Sequence, residues 1–260
     1  MSQWVRFKSA DGRIGFGALD RDHILEYAGD MFAAPAATGK RLPLTAVALL
    51  CPCLPSKIIA LWNNFHALAA KIGKAAPKYP LFFLKPASCT AGPGEPIRRP
   101  ATYAGKIVYE GELGVVIGKT CKNVSVQEAP AHIFGYTCVN DVTANDLLNE
   151  DANFAQWCRA KGYDTFGCIG PAIASGLDVS SLNVVTRVDG VERQNYALRD
   201  MVFSPHELVS HLSHDMSLLP GDVIACGTSV GVGSIKDGSS VDIAIDGIGV
   251  LTNGLWPANA

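Results

Sequence analysis

The sequence predicts an α+β fold, rich in strands and with few helices. Three observations point there. Asp-Gly pairs divide alternating apolar–polar runs as tight hairpin turns do. Helix-start signals are sparse. Strands and helices do not alternate regularly, as a parallel βαβ sheet would need.

The first element is a strand over residues 13–19, entered through an Asp11-Gly12 turn. A Pro/Ala-rich stretch, residues 33–55, reads as a connector. Residues 1–55 are therefore expected to form a small N-terminal region, and 56–260 the main domain. Residues 106–118 alternate. Residues 183–188 and 191–194 flank Asp189-Gly190 as a hairpin, and residues 240–245 and 248–252 flank Asp246-Gly247. One helix start is complete: Ser204 caps, Pro205 takes the first position and Glu207 closes a capping box. Leu208, Val209 and Leu212 then share a face, and Leu219-Pro-Gly-Asp222 stops the segment before a strand at 223–226. A second helix is expected over 146–158.

Composition excludes several classes. The 260 residues are 48% apolar and 18% charged with net charge −2, which is globular. No apolar run approaches the roughly 18 residues of a membrane span, and the first residues do not resemble a signal peptide. No membrane or nucleic-acid partner is expected. The eight cysteines form no C-x-x-C pair, and several lie in apolar strand-like runs. They read as reduced, buried small hydrophobes of a cytoplasmic protein. One segment is lopsided: residues 57–106 hold eight basic residues and only Glu95, a net +7, against −9 for the rest. It reads as a solvated loop or as a lid over an anionic substrate, about residues 60–95.

The strongest chemical signal is Tyr109-Glu-Gly-Glu112. In a strand Glu110 and Glu112 share one face and Leu113 and Val115 the other. Two adjacent carboxylates at a buried edge repel and call for a cation or a shared proton; the plainer reading is a solvated face. Asp141 ends an apolar strand and either caps the next segment or joins the pair. Three carboxylates together would select a hard cation. Gly227-Thr-Ser-Val-Gly231 matches a nucleophile elbow, but it is succeeded by no helix signal and no later histidine, so Ser229 is rejected as nucleophile. An anion-binding Gly-rich turn is a second reading there. Glu207, His211 and His214 read as a solvated helix face.

Together these pieces resemble the fumarylacetoacetate hydrolase superfamily. The motifs are Asn64-Phe-His66, Phe83-Leu-Lys-Pro86, Tyr109-Glu-Gly-Glu112, Asn140-Asp-Val142, Lys161-Gly-Tyr-Asp-Thr-Phe166, Leu219-Pro-Gly-Asp222 and Gly227-Thr228, spread from about Lys57 to Leu255. The resemblance implies a mixed β-roll/β-sandwich core and a homodimer. It implies Mg²⁺, with Mn²⁺ or Ca²⁺ as alternatives, on Glu110, Glu112 and Asp141. His66 and Lys161 take the catalytic roles. Asn64, Lys85, Asn145, Leu148 and Thr228 are the substrate-binding candidates. The implied substrate is a small 2-oxo acid, acylpyruvate or diketone, cleaved hydrolytically at a C–C bond next to a carbonyl.

Three departures qualify this. The glutamate common three residues after the lid histidine is Ala69, which removes the partner of His66. Arginine and glutamine common after the metal aspartate are Asn145 and Leu148, and a tyrosine common before the histidine is Phe65. The missing glutamate suggests decarboxylase or isomerase chemistry on a 2-oxo-enedioate as the alternative. A non-catalytic metal- or ligand-binding homologue is the third reading.

Overall fold

The computed structural model describes residues 1–258; the last two residues of the expected 56–260 domain lie outside the described part. The N-terminal strands β1 (Ser2–Ser9), β2 (Ile14–Asp20), β3 (His23–Asp30), β4 (Ala33–Pro43) and β5 (Val47–Leu50) lead into β6 (Lys57–Trp62), α1 (His66–Lys71) and β7 (Leu81–Pro86). Short strands β8 (Thr90–Ala91), β9 (Ile97–Arg98) and β10 (Ile107–Tyr109) precede β11 (Gly111–Ile117), β12 (Ile133–Asp141) and β13 (Thr143–Ala144). The rest is α2 (Trp157–Lys161), β14 (Gly167–Ser175), β15 (Asn183–Val188), β16 (Val191–Ala197), α3 (Pro205–Asp215), β17 (Val223–Ala225), β18 (Gly233–Ile235), β19 (Ser240–Ile245) and β20 (Gly249–Trp256).

The largest sheet runs β4-β3-β2-β1-β14-β12-β11-β17-β6-β7, with β5 on β1 and β8 on β14. A second sheet, β16-β15-β19-β20-β9, packs against it, and β13-β10-β18 forms a third. Side chains on β11 alternate as their period of two demands. Leu113, Val115 and Ile117 enter the core with Val184, Ile243 and Leu251 of the second sheet, while Val116 joins a separate cluster with Val139 and Ile169. The α+β expectation holds: strands dominate, with three short α-helices among the described residues. Both Asp-Gly hairpins form, with Asp189 and Gly190 at φ of 50° and 78° as a type I′ turn requires. Ser204 and Glu207 make the reciprocal capping box.

Several expectations are corrected. Residues 33–55 are not a connector, since they contain β4 and β5. β4 is an exposed sheet edge, so it shows no apolar alternation and tolerates Pro35 and Pro43. The N-terminal strands extend the main sheet through β1, which pairs with β14. Residues 146–158 are not one helix. A 3-10 turn spans Asn145–Leu147, and α2 begins only at Trp157. Asp151 accepts the Asn153 backbone N–H at 2.8 Å, a local bond that competes with helix. Cys158 is exposed rather than buried. The stretch expected as a lid is sheet at both ends, where Trp62 pairs with Leu81, which leaves α1 and loop over residues 63–80.

Two of the basic residues in that stretch serve structure. Lys57 pairs with fully buried Asp222, whose carboxylate also accepts from the backbone of Ser56 and Leu219 and from the Ser56 hydroxyl. That cluster joins the start of β6 to the turn before its parallel neighbour β17. The second is Lys85, which turns inward from β7 to the acid cluster described below. Among the described residues no helix is long and apolar enough to cross a membrane.

Candidate active site

The three acids converge at neighbouring strand ends. Glu110 lies between β10 and β11, Glu112 is the second residue of β11, and Asp141 ends β12, which pairs with β11. Backbone bonds set their spacing: Asp141 N–H donates to Glu110 O at 2.9 Å, and Glu110 N–H donates to Asn140 Oδ1 at 3.0 Å. Gly111 between the acids is required by close approach, because a Cβ there would collide with Thr186 Oγ1. One carboxylate oxygen from each acid lies within 4.8 Å of the others.

Two lysines enter this cluster. Lys161, at the end of α2, donates to Glu110 Oε2 at 2.8 Å, Asp141 Oδ2 at 2.7 Å and Thr143 Oγ1 at 2.7 Å. Those three bonds use its three ammonium hydrogens. Lys85 on β7 donates to Asp141 Oδ1 at 2.5 Å and to Phe166 O at 3.1 Å. Burial favours a neutral Asp141, but Lys161 and Lys85 outweigh it and hold the carboxyl below its ordinary value. Burial would lower Lys161, yet Asp141 and Glu110 raise it, so it stays an ammonium. Glu110 is pushed up by burial despite Lys161.

Glu112 is the outlier. Burial, then the charges of Asp141 and Glu110, push its carboxyl well above the usual range. Its Oε2 accepts Gly227 N–H at 2.8 Å, while buried Oε1 has no hydrogen-bond partner. The Gly-rich turn does present an N–H, and its acceptor is the Glu112 carboxyl. Gly227 sits at φ of +89°, open to glycine but costly for other residues. Three carboxylates against two ammoniums leave one net negative charge when all are ionised. An all-oxygen donor set, an orphaned carboxylate oxygen and surplus negative charge fit a hard divalent cation.

A cavity of about 310 Å³ opens over Glu110 and Lys161, lined also by Asn63, Asn145, Thr228 and an apolar wall that includes Trp62, Phe83, Leu148 and Trp157. Thr228 Oγ1 donates to Gly111 O at 3.0 Å and accepts from Gln194 Nε2 at 2.9 Å, so the second sheet holds it in place.

The remaining candidates fall elsewhere. Asn64 does not face the cavity: its amide bridges Cys226 O, Phe203 O and Phe203 N–H, tying three segments together. Lys85 is 1% exposed and engages Asp141, so it supports the acid cluster instead of touching substrate. His66 is exposed and does not line the cavity. Leu68 and Ile72, one helical turn apart, turn toward the cavity, and His66 lies two residues from Leu68, about 200° around the axis. Sequence reasoning missed Thr143 as the third acceptor of Lys161, Gln194 behind Thr228, and the wall of Trp62, Phe83 and Trp157. Only the wall's composition was visible in sequence, since its three rings come from distant segments.

On this β-rich frame Glu110, Glu112 and Asp141 form a carboxylate triad with the donor chemistry of a divalent-cation site. The chain belongs to the fumarylacetoacetate hydrolase family: the family's model, described as the C-terminal fumarylacetoacetate hydrolase domain, matches residues 57–255. A second model, the Rv2993c-like N-terminal region, matches residues 3–52. The chain is 38% identical to the oxaloacetate tautomerase YisK of Bacillus subtilis over 212 residues, covering 76% of this chain and 69% of that one. Its structure is similar to that of a 2-hydroxyhepta-2,4-diene-1,7-dioate isomerase from Mycobacterium marinum, with TM-score 0.91, 38% identity and full coverage of both chains. It is also similar to a maleylpyruvate hydrolase from Sphingobium sp. SYK-6 in complex with manganese(II) and pyruvate, with TM-score 0.79, 30% identity and 99% of each chain covered. Members of the family thus include isomerases, tautomerases and hydrolases, and a divalent metal occurs among them.

Proposed function

We propose that this chain is a divalent-metal-dependent enzyme that generates an enolate from a small 2-oxo acid or diketone and returns it as an isomer or a decarboxylated product. The observation that carries this reading is the placement of His66 outside a cavity whose floor is Glu110 and Lys161. Glu110, Glu112 and Asp141 would hold Mg²⁺ or Mn²⁺. When bound, that ion supplies Lewis-acid polarisation of the substrate's 2-oxo and carboxylate oxygens. Lys161 keeps its proton because two carboxylates face it, so it offers a positive charge to an enolate oxygen. Thr228 and Asn145 orient the substrate's polar end. The apolar wall limits water, so the enolate left by removal of a C3 proton or by loss of CO₂ is protonated before side reactions intervene.

Hydrolysis, the first expectation from sequence, is the second reading, and likeness to the maleylpyruvate hydrolase favours it. It requires an activated water. α1 does not offer His66 to one, and the position that would complete a dyad is Ala69. A homodimer in the cytoplasm belongs to this proposal as well, and the eight free thiols support a reducing location.

One experiment separates the readings. The protein is incubated in D₂O with oxaloacetate or acylpyruvates, with Mg²⁺ or with EDTA, and followed by proton NMR. Metal-dependent C3 deuterium exchange or CO₂ loss supports the proposal. Two carbon fragments with solvent ¹⁸O in the released acid would replace it with hydrolysis. Silence on every substrate with metal bound would favour a non-catalytic homologue.

A further inference from the structure

Two cavities meet at one wall. The inner one, about 310 Å³, holds Glu110 and Lys161; an outer groove of about 610 Å³ adjoins it. Trp62, Phe83, Leu148 and Trp157 line both. Phe83 stacks on Trp157 with ring centroids 5.3 Å apart at 23°, and Trp62 leans on Trp157 at 5.8 Å. The rings therefore brace one another as a rigid apolar surface running from the inner site outward.

Charge is arranged the opposite way. The one cation lining the inner cavity, among the described residues, is Lys161, whose three hydrogens are taken by Glu110, Asp141 and Thr143. Asn145 and Leu148, which face the cavity from the turn after β13, carry no charge. Among the described residues the cation lining the outer groove is exposed Lys74, whose ammonium lies 5.8 Å over the Trp62 ring. A second carboxylate carried into this channel would find no free cation among the inner lining residues and would lose its hydration against aromatic rings.

Resting on the reading of the site as a 2-oxo acid or diketone enzyme, we propose that its substrates end in an aromatic or bulky apolar tail, not in a second acid. The 2-oxo head sits at Glu110 and Lys161. The tail lies along Trp157 and Phe83, with Leu148 under it. These residues determine specificity; they take no part in bond breaking.

Calorimetric titration of the Mg²⁺-loaded full chain tests this. The probes share one head and differ in tail: 2,4-dioxo-4-phenylbutanoate, 2,4-dioxopentanoate, and a 2,4-dioxo acid with a terminal carboxylate. The phenyl probe should bind at least about 10-fold more tightly than the methyl one, the scale expected for burying a ring in an apolar pocket. That advantage should shrink in Trp157→Ala, and Leu148→Arg should shift preference toward the acidic tail. Equal affinity for phenyl and methyl tails, or preference of the wild type for the acidic tail, overturns the inference. The wild-type comparison stands even if a variant fails to fold. Turnover of the same probes is read separately. Phenyl preference without turnover would overturn the enzymatic reading and keep this inference, whereas turnover with acidic preference does the reverse.

Discussion

The floor and the wall of the cavity are built by different physics. On the floor, five ionisable groups lie in hydrogen-bond contact or within a few ångströms, and their charges nearly cancel. Each depends on the others, because an unpartnered buried charge costs far more than a paired one gains. On the wall, Trp62, Phe83 and Trp157 interact through packing, which is less directional and more tolerant. The difference teaches that the floor sets what chemistry is available, while the wall is free to change which molecule is presented to it.

That contrast predicts steep, cooperative losses on the floor and graded ones elsewhere. The largest belongs to Lys85. Lys85→Met strips one ammonium from Asp141 inside the protein and should destabilise the metal-free chain by about 3–5 kcal/mol, the usual cost of breaking a buried pair. Thermal melts would show it, and Mg²⁺ should restore part of the loss by replacing the missing charge. A melt unchanged from wild type would mean that Asp141 does not need its buried counter-charge.

Lys161→Met should lower kcat by about 10²–10³-fold, the scale of losing one preorganised electrostatic stabiliser of developing negative charge. A change confined to KM would reassign Lys161 to substrate binding. Glu112→Gln should weaken Mn²⁺ binding by about 100-fold or more, since even supporting partners of metal ligands cost up to that much. Electron paramagnetic resonance reads free Mn²⁺ directly, so the result is independent of turnover.

His66→Ala sharpens the comparison from the other side. Because His66 faces solvent, kcat/KM should change by less than about 3-fold, the range of a surface substitution. A loss of 100-fold would show that α1 swings to bring the imidazole over the floor, and hydrolysis would return as the first reading.

A modest effect on stability alone lies far from the cavity, at the cap of α3. The Ser204 hydroxyl and backbone hold the Glu207 carboxyl below its ordinary value. A depressed folded pKa means stability present at neutral pH and lost as pH falls through that pKa. Ser204→Ala should cost about 1 kcal/mol at pH 7. Its deficit against wild type should narrow as pH falls through the lowered pKa of Glu207, below which the carboxyl is protonated in both. A deficit independent of pH would assign the whole effect to the hydroxyl.

Legibility followed locality. The capping box of Ser204 and Glu207 and the Asp189-Gly190 hairpin are decided by residues within four positions, and both formed as read. Glu110 and Glu112 were legible because a period of two places them together, and Asp141 because it ends a strand. The 146–158 segment misled because side-chain bonds such as Asp151 to Asn153 outcompete a helix whose propensity is ordinary. β4 was hidden for a different reason. As an exposed edge it buries almost nothing, and burial is what leaves an apolar period in a sequence.

By itself, then, the sequence determined the strand-rich α+β class, the hairpins, the cap and the identity of the three acids, because each is written in residue type and short spacing. Tertiary structure decided the rest. It turned Lys85 and Asn64 from substrate candidates into supports, turned His66 outward, and gathered Trp62, Phe83 and Trp157 from β6, β7 and α2 into one wall. Those outcomes depend on where distant strands end and which helix face turns inward. Long-range packing sets both, through many small contacts that no local pattern records.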